Sequence, residues 1–256
     1  MINKKIYFLS DFHLGTPSKE ESKERELRVV RWLDSIKSDA GEVYLLGDIF
    51  DFWFEYKHVV PKGYLHLLGK LAELRNLGIP IYFFTGNHDM WMFTYLEEEL
   101  GIPIYHNPIS KSIYGKEFYI GHGDGLGPKQ EGFKLLRRIF HNKAFHWFFK
   151  RFNPNFSFAI ADFWSRSSRG SKPSNPTFLG IENEWLVAYC EMKCKIAPHD
   201  FFVFGHRHLA IDHTLSDGKT RYINTGEWLK TNSYAVFDGE KMEIGFFEND
   251  NGVIYG

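Results

Sequence analysis

Histidine, aspartate and asparagine residues recur in five short clusters that have the chemistry to bind metal ions. Each cluster directly follows an apolar, β-branched or aromatic run, the pattern of a buried strand. Because such strands can end at one edge of a sheet, their oxygen and imidazole donors can meet at one point. The clusters are Asp11-Phe12-His13, Gly47-Asp48-Ile49-Phe50-Asp51, Gly86-Asn87-His88-Asp89, Gly121-His122-Gly123-Asp124 and Gly205-His206-Arg207-His208. They predict a site for a pair of divalent cations.

The donor types narrow the chemistry of this site. Asp11 and His13 alternate along an extended chain, so both can face one side, and the two oxygens of Asp48 can bridge two ions. Two ions about 3.5–4 Å apart lower the pKa of a shared water and clamp a phosphoryl group. Thiols are missing from the set, which excludes a zinc finger. Singly, each cluster is typical of a turn or a buried histidine, but five in order favour metal binding.

The first hundred residues predict the elements that would position these donors. Strands are expected at Ile6–Ser10, Val43–Leu46 and Ile81–Thr85, and helices at Glu20–Ser38 and Tyr64–Leu77. This alternation of strand and helix predicts a parallel sheet with helices on its faces.

The rest of the chain predicts shorter strands, mostly antiparallel. Aspartate-glycine pairs at 216–219 and 238–241 are typical of hairpin turns. The expected strands are Ile109–Ile113, Phe118–Ile120, Phe201–Phe204, Ala210–Leu215, Arg221–Asn224, Tyr234–Phe237 and Lys241–Phe247. Together the two halves predict a two-sheet sandwich with outer helices.

Residues 129–197 carry no strand pattern and predict a helical insertion within a single domain that covers residues 1–256. Its first part, Lys129–Lys172, holds ten basic residues against Glu131 and Asp162, together with many aromatic residues. Aromatic and basic helices suit a membrane interface, although an ordinary packed subdomain with a solvated basic face is the alternative.

Overall composition limits the partners and the location. The net charge of the 256 residues is -1, so the whole molecule has no bulk attraction to nucleic acid, and no nucleic-acid or obligate protein partner is expected. Cys190 and Cys194 are interpreted as reduced thiols. The start of the chain leads straight into the first strand, and no segment has the length of a membrane span, which predicts a cytoplasmic protein.

The five clusters resemble the pattern of the calcineurin-like metallophosphoesterases, which is D-x-H, G-D-x-x-D, G-N-H-[DE], G-H and G-H-x-H. The resemblance implies a four-layered α/β-β/α sandwich and two divalent ions, with Mn²⁺ preferred and iron, zinc or cobalt tolerated. It also implies His88 as an acid or a donor to phosphoryl oxygens, oriented by Asp51. The implied ligands are Asp11, His13, Asp48 and His208 for one ion, and Asp48, Asn87, His122 and His206 for the other.

Within that superfamily, Ser10–Gly15, Gly47–Trp53, Gly121–Asp124 and the long insertion resemble the UDP-2,3-diacylglucosamine pyrophosphatases of lipid A biosynthesis. The resemblance implies that the insertion is a lid that houses two acyl chains, and that a nucleotide-activated glycolipid is cleaved to UMP and 2,3-diacylglucosamine 1-phosphate. It implies peripheral contact with the inner membrane. The candidate substrate contacts are Asn87, Asp124, Arg166, Ser168, Arg169 and Lys172.

One departure from this pattern leaves the substrate open. The best-known enterobacterial lipid A members carry arginine at the position of His88, whereas this chain keeps the histidine of the wider superfamily. Another nucleotide pyrophosphate or a phosphodiester is therefore the alternative substrate, and a nuclease is conceivable because the insertion is basic. A metal-free scaffold is disfavoured, because all seven donors are present.

Overall fold

The structure is a computed structural model that describes residues 4–127, 134, 138, 140, 142–157 and 177–256. Two sheets and flanking helices make up the described chain. The helices are α1 Lys19–Ile36, α2 Leu65–Asn76, α3 Tyr95–Leu100, α4 Lys143–Phe149 and α5 Trp185–Ile196, with a 3₁₀ helix at Ile181–Asn183. The strands are β1 Lys5–Leu9, β2 Ala40–Leu45, β3 Ile81–Phe84, β4 Ile104–Tyr105, β5 Ile109–Ile113, β6 Lys116–Ile120, β7 Phe201–Phe204, β8 Ala210–Thr214, β9 Arg221–Thr225, β10 Ser233–Phe237 and β11 Met242–Phe246.

The first sheet has six strands in the order β11-β10-β1-β2-β3-β4. Strands β1 to β4 run parallel, as the alternation of strands and helices predicted. The β10–β11 hairpin joins the other edge, where β10 pairs antiparallel with β1. Phe8 in β1 is thereby flanked by Tyr44 of β2 and Ala235 of β10.

The second sheet has five strands in the order β5-β6-β7-β9-β8. The prediction of mostly antiparallel pairing was wrong for its centre, because β7 pairs parallel with both β6 and β9. Antiparallel pairing is confined to the outer pairs β5–β6 and β8–β9. Turn sequences indicate only hairpins, which join antiparallel strands, so they gave no signal for these parallel pairs. The β6–β7 pair is instead formed by a long crossover that includes α5, and long crossovers join parallel strands.

Four layers result from the packing of these sheets. The sheets face each other across a core that includes Phe8 and Phe118, whose rings stack with centroids 5.9 Å apart. Helices α1 and α2 cover the outer face of the first sheet, where Trp32 is buried. Helix α5 covers the second sheet through Leu186 and Cys190. The sandwich implied by the resemblance is confirmed.

The local sequence explains where helix α1 begins and which of its faces is buried. Ser18 is the N-cap residue: its hydroxyl accepts a hydrogen bond from the backbone N–H of Glu21 and donates to the Glu21 carboxylate. Val29 and Leu33 then fall on the face that is buried against the first sheet. The same helix carries Arg25 towards the end of β1.

The segment between β6 and β7 is helical in its described part, and its role as an insertion stays a prediction. Helix α4 packs through Phe149, whose ring lies 4.8 Å from that of Phe54 and 4.9 Å from that of Trp91. No helix in the described ranges is long and apolar enough to cross a membrane.

Candidate metal centre

All five donor clusters follow directly on strands. The first three clusters come after the parallel strands β1, β2 and β3, and the last two come after β6 and β7 of the second sheet. Because the carboxyl ends of parallel strands lie at one edge, the two sheets bring their clusters to a common edge of the sandwich.

Five of the predicted donors have a left-handed backbone, which is uncommon for residues other than glycine. Nine such residues with positive φ occur in the described part of the chain, and the donors make up more than half of them. Such conformations cost energy and persist only where surrounding contacts hold them. The five donors are Asp11 (φ 57°), His13 (45°), Asp48 (53°), His206 (70°) and His208 (54°).

A first group of side chains converges around Asp11, His13, Asp48 and His208, whose donor atoms lie within 4.8 Å of one another. Nε2 of His208 lies 3.1 Å from Oδ1 of Asp11 and 3.1 Å from Nε2 of His13. Nε2 of His13 lies 3.7 Å from Oδ2 of Asp48. These four residues are the implied ligands of one ion.

A second group shares Asp48 with the first. The donor atoms of Asp48, His122 and His206 lie within 4.8 Å of one another. Nε2 of His122 lies 3.4 Å from Oδ2 of Asp48 and 3.2 Å from Nδ1 of His206. Oδ1 of Asn87 is buried and has no hydrogen-bond partner within the described ranges, as expected of a metal ligand.

The tautomer of His122 shows that this group fits a metal. Nδ1 of His122 donates to the backbone carbonyl of Leu46 at 2.7 Å, because a carbonyl can only accept. In the neutral ring, Nε2 therefore carries a lone pair, and it faces the Asp48 carboxylate. Lone pairs that face each other in a buried site require a proton or a cation between them. Metal-binding histidines commonly donate their second nitrogen to a carbonyl in this way.

His88 and Asp51 form a third group with His13. Oδ1 of Asp51 lies 3.5 Å from Nδ1 of His13 and 3.5 Å from Nδ1 of His88. Nδ1 of His88 also donates to the backbone carbonyl of Asp51 at 3.0 Å, and the His88 N–H donates to Oδ1 of Asp48 at 2.8 Å. Asp51 thus contacts His88 mainly through its backbone.

The pKa values of the buried imidazoles shift in opposite directions, because nearby carboxylates raise them and burial lowers them. Burial lowers the pKa of His13, but hydrogen bonds to Asp11 and Asp51 outweigh burial and raise it to about 10. Burial also opposes protonation of His122, whose pKa is raised to about 10 by Asp48. Burial and the neighbouring His122 lower the pKa of His206 to about 3. At neutral pH, His13 and His122 therefore hold protons that a binding cation must displace.

Asp89 supports the centre, although sequence reasoning gave it no role. Its fully buried carboxylate accepts from the backbone N–H groups of Gly86 at 2.7 Å and Ile49 at 2.8 Å, with longer contacts from Asp48 and Phe50. Burial and the charge of Asp48 raise the pKa of Asp89 to about 7. Asp89 therefore ties the second cluster to the third. The sequence feature that could have indicated this role is the position of Asp89 in the third cluster.

Arg25 supports the first cluster, and nothing in the sequence pointed to it. The buried guanidinium donates to the carbonyls of Phe12 and His13, both at 2.9 Å, and of Thr16 at 3.1 Å. These bonds satisfy carbonyls of the loop that carries Asp11 and His13. On a helix rich in charges, Arg25 looks like a surface residue.

Glycine is required where the second and third clusters touch. A Cβ on Gly86 would overlap the Oδ1 atom of Asp48. Gly47 has a φ of 91°, and a Cβ there would lie 2.6 Å from the backbone nitrogen of Gly86. A side chain at Gly86 would displace the shared carboxylate, and one at Gly47 would push the second cluster away from Gly86.

The predicted substrate contacts are only partly described. Asp124 is buried and lines a small cavity with His122, His106 and Asn107. The stretch that contains Arg166, Ser168, Arg169 and Lys172 lies outside the described residues.

Known proteins that resemble this chain include named hydrolases and a solved phosphodiesterase. The chain is 36% identical over 261 residues to a UDP-2,3-diacylglucosamine hydrolase of Porphyromonas gingivalis, with 97% of this chain and 99% of the relative covered. It is 28% identical to a hydrolase of the same name from Aeromonas salmonicida, with 90% and 88% covered. A solved archaeal phosphodiesterase covers 94% of this chain and 99% of its own at 16% identity, with a TM-score of 0.47.

A sequence profile of the family described as calcineurin-like phosphoesterase matches residues 4–210. This span contains all five donor clusters, and such enzymes are metal-dependent hydrolases. The match covers most of the chain, so the chain belongs to the calcineurin-like phosphoesterase family.

Proposed function

We propose that this protein hydrolyses UDP-2,3-diacylglucosamine to UMP and 2,3-diacylglucosamine 1-phosphate, a step of lipid A biosynthesis. The proposed hydrolytic reaction is supported mainly by the two donor groups that share Asp48. The choice of substrate is supported by the relative of that name, which is 36% identical over 97% of the chain.

Two ions fit the donor set. One is assigned to Asp11, His13, Asp48 and His208, and the other to Asp48, Asn87, His122 and His206. When bound, such a pair lowers the pKa of a shared water towards about 7 and neutralises charge on phosphoryl oxygens. Mn²⁺ is the preferred ion, because mixed oxygen and imidazole donors suit it, and iron, zinc and cobalt tolerate the same ligands.

His88 is assigned to proton transfer or hydrogen bonding at the phosphoryl group. Its Nδ1 is committed to the carbonyl of Asp51, which leaves Nε2 as the atom that can reach substrate. A protonated Nε2 can donate to a phosphoryl oxygen or to the departing 1-phosphate after attack of water at the uridine-linked phosphorus. Asp51 is assigned to hold the ring in this orientation.

Substrate contacts are assigned to the third and fourth clusters and to the segment after them, which is also assigned as the lid. Asn87 and Asp124 are proposed to bind the diphosphate and the sugar, and residues 129–197 are proposed to form a helical lid within the single domain 1–256. Four further residues of that segment are proposed to contact phosphate and sugar. They are Arg166, Ser168, Arg169 and Lys172.

The described part of this segment supports a membrane-facing role. Trp147 is 59%, Phe148 56% and Phe156 53% exposed. The guanidinium of Arg151 lies 4.1 Å above the Trp147 ring. Rings and cations exposed side by side suit the interface of an anionic bilayer. We therefore propose peripheral contact with the cytoplasmic face of the inner membrane, without nucleic acid or an obligate protein partner.

Phosphorus NMR of the products tests the proposed reaction. The protein is incubated with Mn²⁺ and UDP-2,3-diacylglucosamine in mixed detergent micelles, and the Asp48→Ala variant serves as the control. Formation of UMP by the wild type alone is the expected result. Absence of UMP, together with cleavage of a water-soluble nucleotide pyrophosphate, would contradict the proposed substrate.

A further inference from the structure

The start of helix α5 lies against both loops of the second donor group. A Cβ on Gly123, the residue after His122, would lie 3.1 Å from Cδ1 of Leu186 and 3.6 Å from the Cβ of His206. The ring centroid of Trp185 lies 6.4 Å from that of His206. The fourth and fifth clusters therefore both border the first turn of α5.

A buried ion pair joins this helix end to the fifth cluster. Glu184 immediately precedes α5, and its side chain is 1% exposed, while that of Arg207 is 14% exposed. Nε and Nη2 of Arg207 donate to the two carboxylate oxygens of Glu184 at 2.6 and 2.7 Å. The Arg207 guanidinium also lies 4.4 Å above the ring of Trp185. This bidentate and stacked geometry fixes the arginine in one orientation.

Arg207 stands between two donors whose backbone is strained. His206 and His208 have φ values of 70° and 54°, and the Arg207 N–H closes a tight turn to the carbonyl of Gly205 at 2.8 Å. Such a conformation persists only where neighbouring contacts hold it. Arg207 ties this turn to a residue outside the donor groups, because its side chain is bound to Glu184.

We propose that Glu184 is a positioning residue of the metal centre, which acts through Arg207 to set the conformation of His206 in the second donor group. The inference rests on the proposed role of His206 as a ligand. Glu184 and Trp185 also stand where the segment between the fourth and fifth clusters returns to the sheet. The same contacts therefore connect the end of that segment to the ligand loop.

A purely stabilising role is a weaker explanation of this ion pair. Removal of two charges from water costs about as much as their attraction returns, so a buried pair adds little net stability. Its bidentate geometry instead selects one conformation of the loop. Removal of both charges should therefore change metal binding at the second donor group, which includes His122 and His206, more than it changes the melting temperature.

The test compares Glu184→Gln with Glu191→Gln. Glu191 lies on the same helix, but its carboxylate binds the N–H and hydroxyl of Ser216 at 2.7 and 2.6 Å, in the β8–β9 turn. Titration calorimetry with Mn²⁺ should show one of two ions bound about 10- to 100-fold more weakly in Glu184→Gln, as for other groups that orient ligands. With a small chromogenic phosphodiester, kcat should fall while KM changes little. Glu191→Gln should match the wild type in both assays.

A double variant keeps the test informative if Glu184→Gln leaves Arg207 unpaired and fails to fold. Glu184→Gln with Arg207→Met removes both charges, and it should fold and still bind one ion weakly. Two ions bound with wild-type affinity, in either folded variant, would overturn the inference. A wild type that binds no Mn²⁺ would instead contradict the proposed function.

Discussion

Nε2 of His122 lies 3.2 Å from Nδ1 of His206, although Nδ1 of His122 is already bound to the carbonyl of Leu46. Two imidazole nitrogens at this distance repel each other unless a proton or a cation lies between them. The Asp48 carboxylate, 3.4 Å from Nε2 of His122, adds a further donor to the same point. The arrangement is that of a cation site.

Binding of Mn²⁺ should release protons, and affinity should rise with pH. His13 and His122 have pKa values raised to about 10, so both are protonated at neutral pH and must lose those protons to bind an ion. Apparent affinity should therefore rise by up to about tenfold per pH unit for each proton displaced. Calorimetry at pH 6 and pH 8, in buffers of different ionisation enthalpy, measures both quantities. Equal affinity at both pH values without proton release would contradict this assignment.

His88→Ala should lower kcat while both ions stay bound. The ring makes no contribution to the assigned ligand sets, and loss of a proton donor costs about 10²- to 10⁴-fold in rate. Turnover at saturating substrate and Mn²⁺ stoichiometry are the measurements. His66→Ala, which removes an exposed histidine on α2, is the control and should match the wild type. An unchanged kcat in His88→Ala would remove His88 from the reaction.

Asp89→Asn should weaken both folding and metal binding. The amide presents a donor where backbone N–H groups of Gly86 and Ile49 need an acceptor, and each buried group left unpaired costs about 1–3 kcal/mol. Thermal unfolding with and without Mn²⁺ measures the two effects. Asp250→Asn is the matched control, because Asp250 is exposed. A melting temperature equal to that of the wild type would show that the carboxylate is dispensable.

Trp147→Ser combined with Phe148→Ser should reduce activity on the micellar lipid substrate far more than on a small phosphodiester. Both rings are exposed, whereas Phe149 packs on Phe54 and should be left unchanged. Leu65→Ser removes an exposed apolar side chain from α2 and serves as the control. Kinetics on both substrates, with binding to anionic vesicles, measure the effect. Equal losses on both substrates would contradict the membrane-facing role of α4.

The sequence predicted the parallel sheet and the convergence of donors, because each strand ends in a polar cluster. It missed α3 and β4, which have six and two residues and are too short to show periodicity. The antiparallel pairing predicted around β7 was wrong, because a long crossover leaves no turn signal in the sequence. The roles of Arg25 and Glu184 depend on contacts between distant segments, which residue types alone do not reveal.

Metal content tests the central claim most directly. The protein is stripped with a chelator, reloaded with Mn²⁺, passed through a desalting column and analysed for metal and protein. Two ions per chain are expected for the wild type, and Asp48→Ala should lose both, because Asp48 belongs to both donor groups. A wild type that takes up no Mn²⁺, iron, zinc or cobalt would contradict the account.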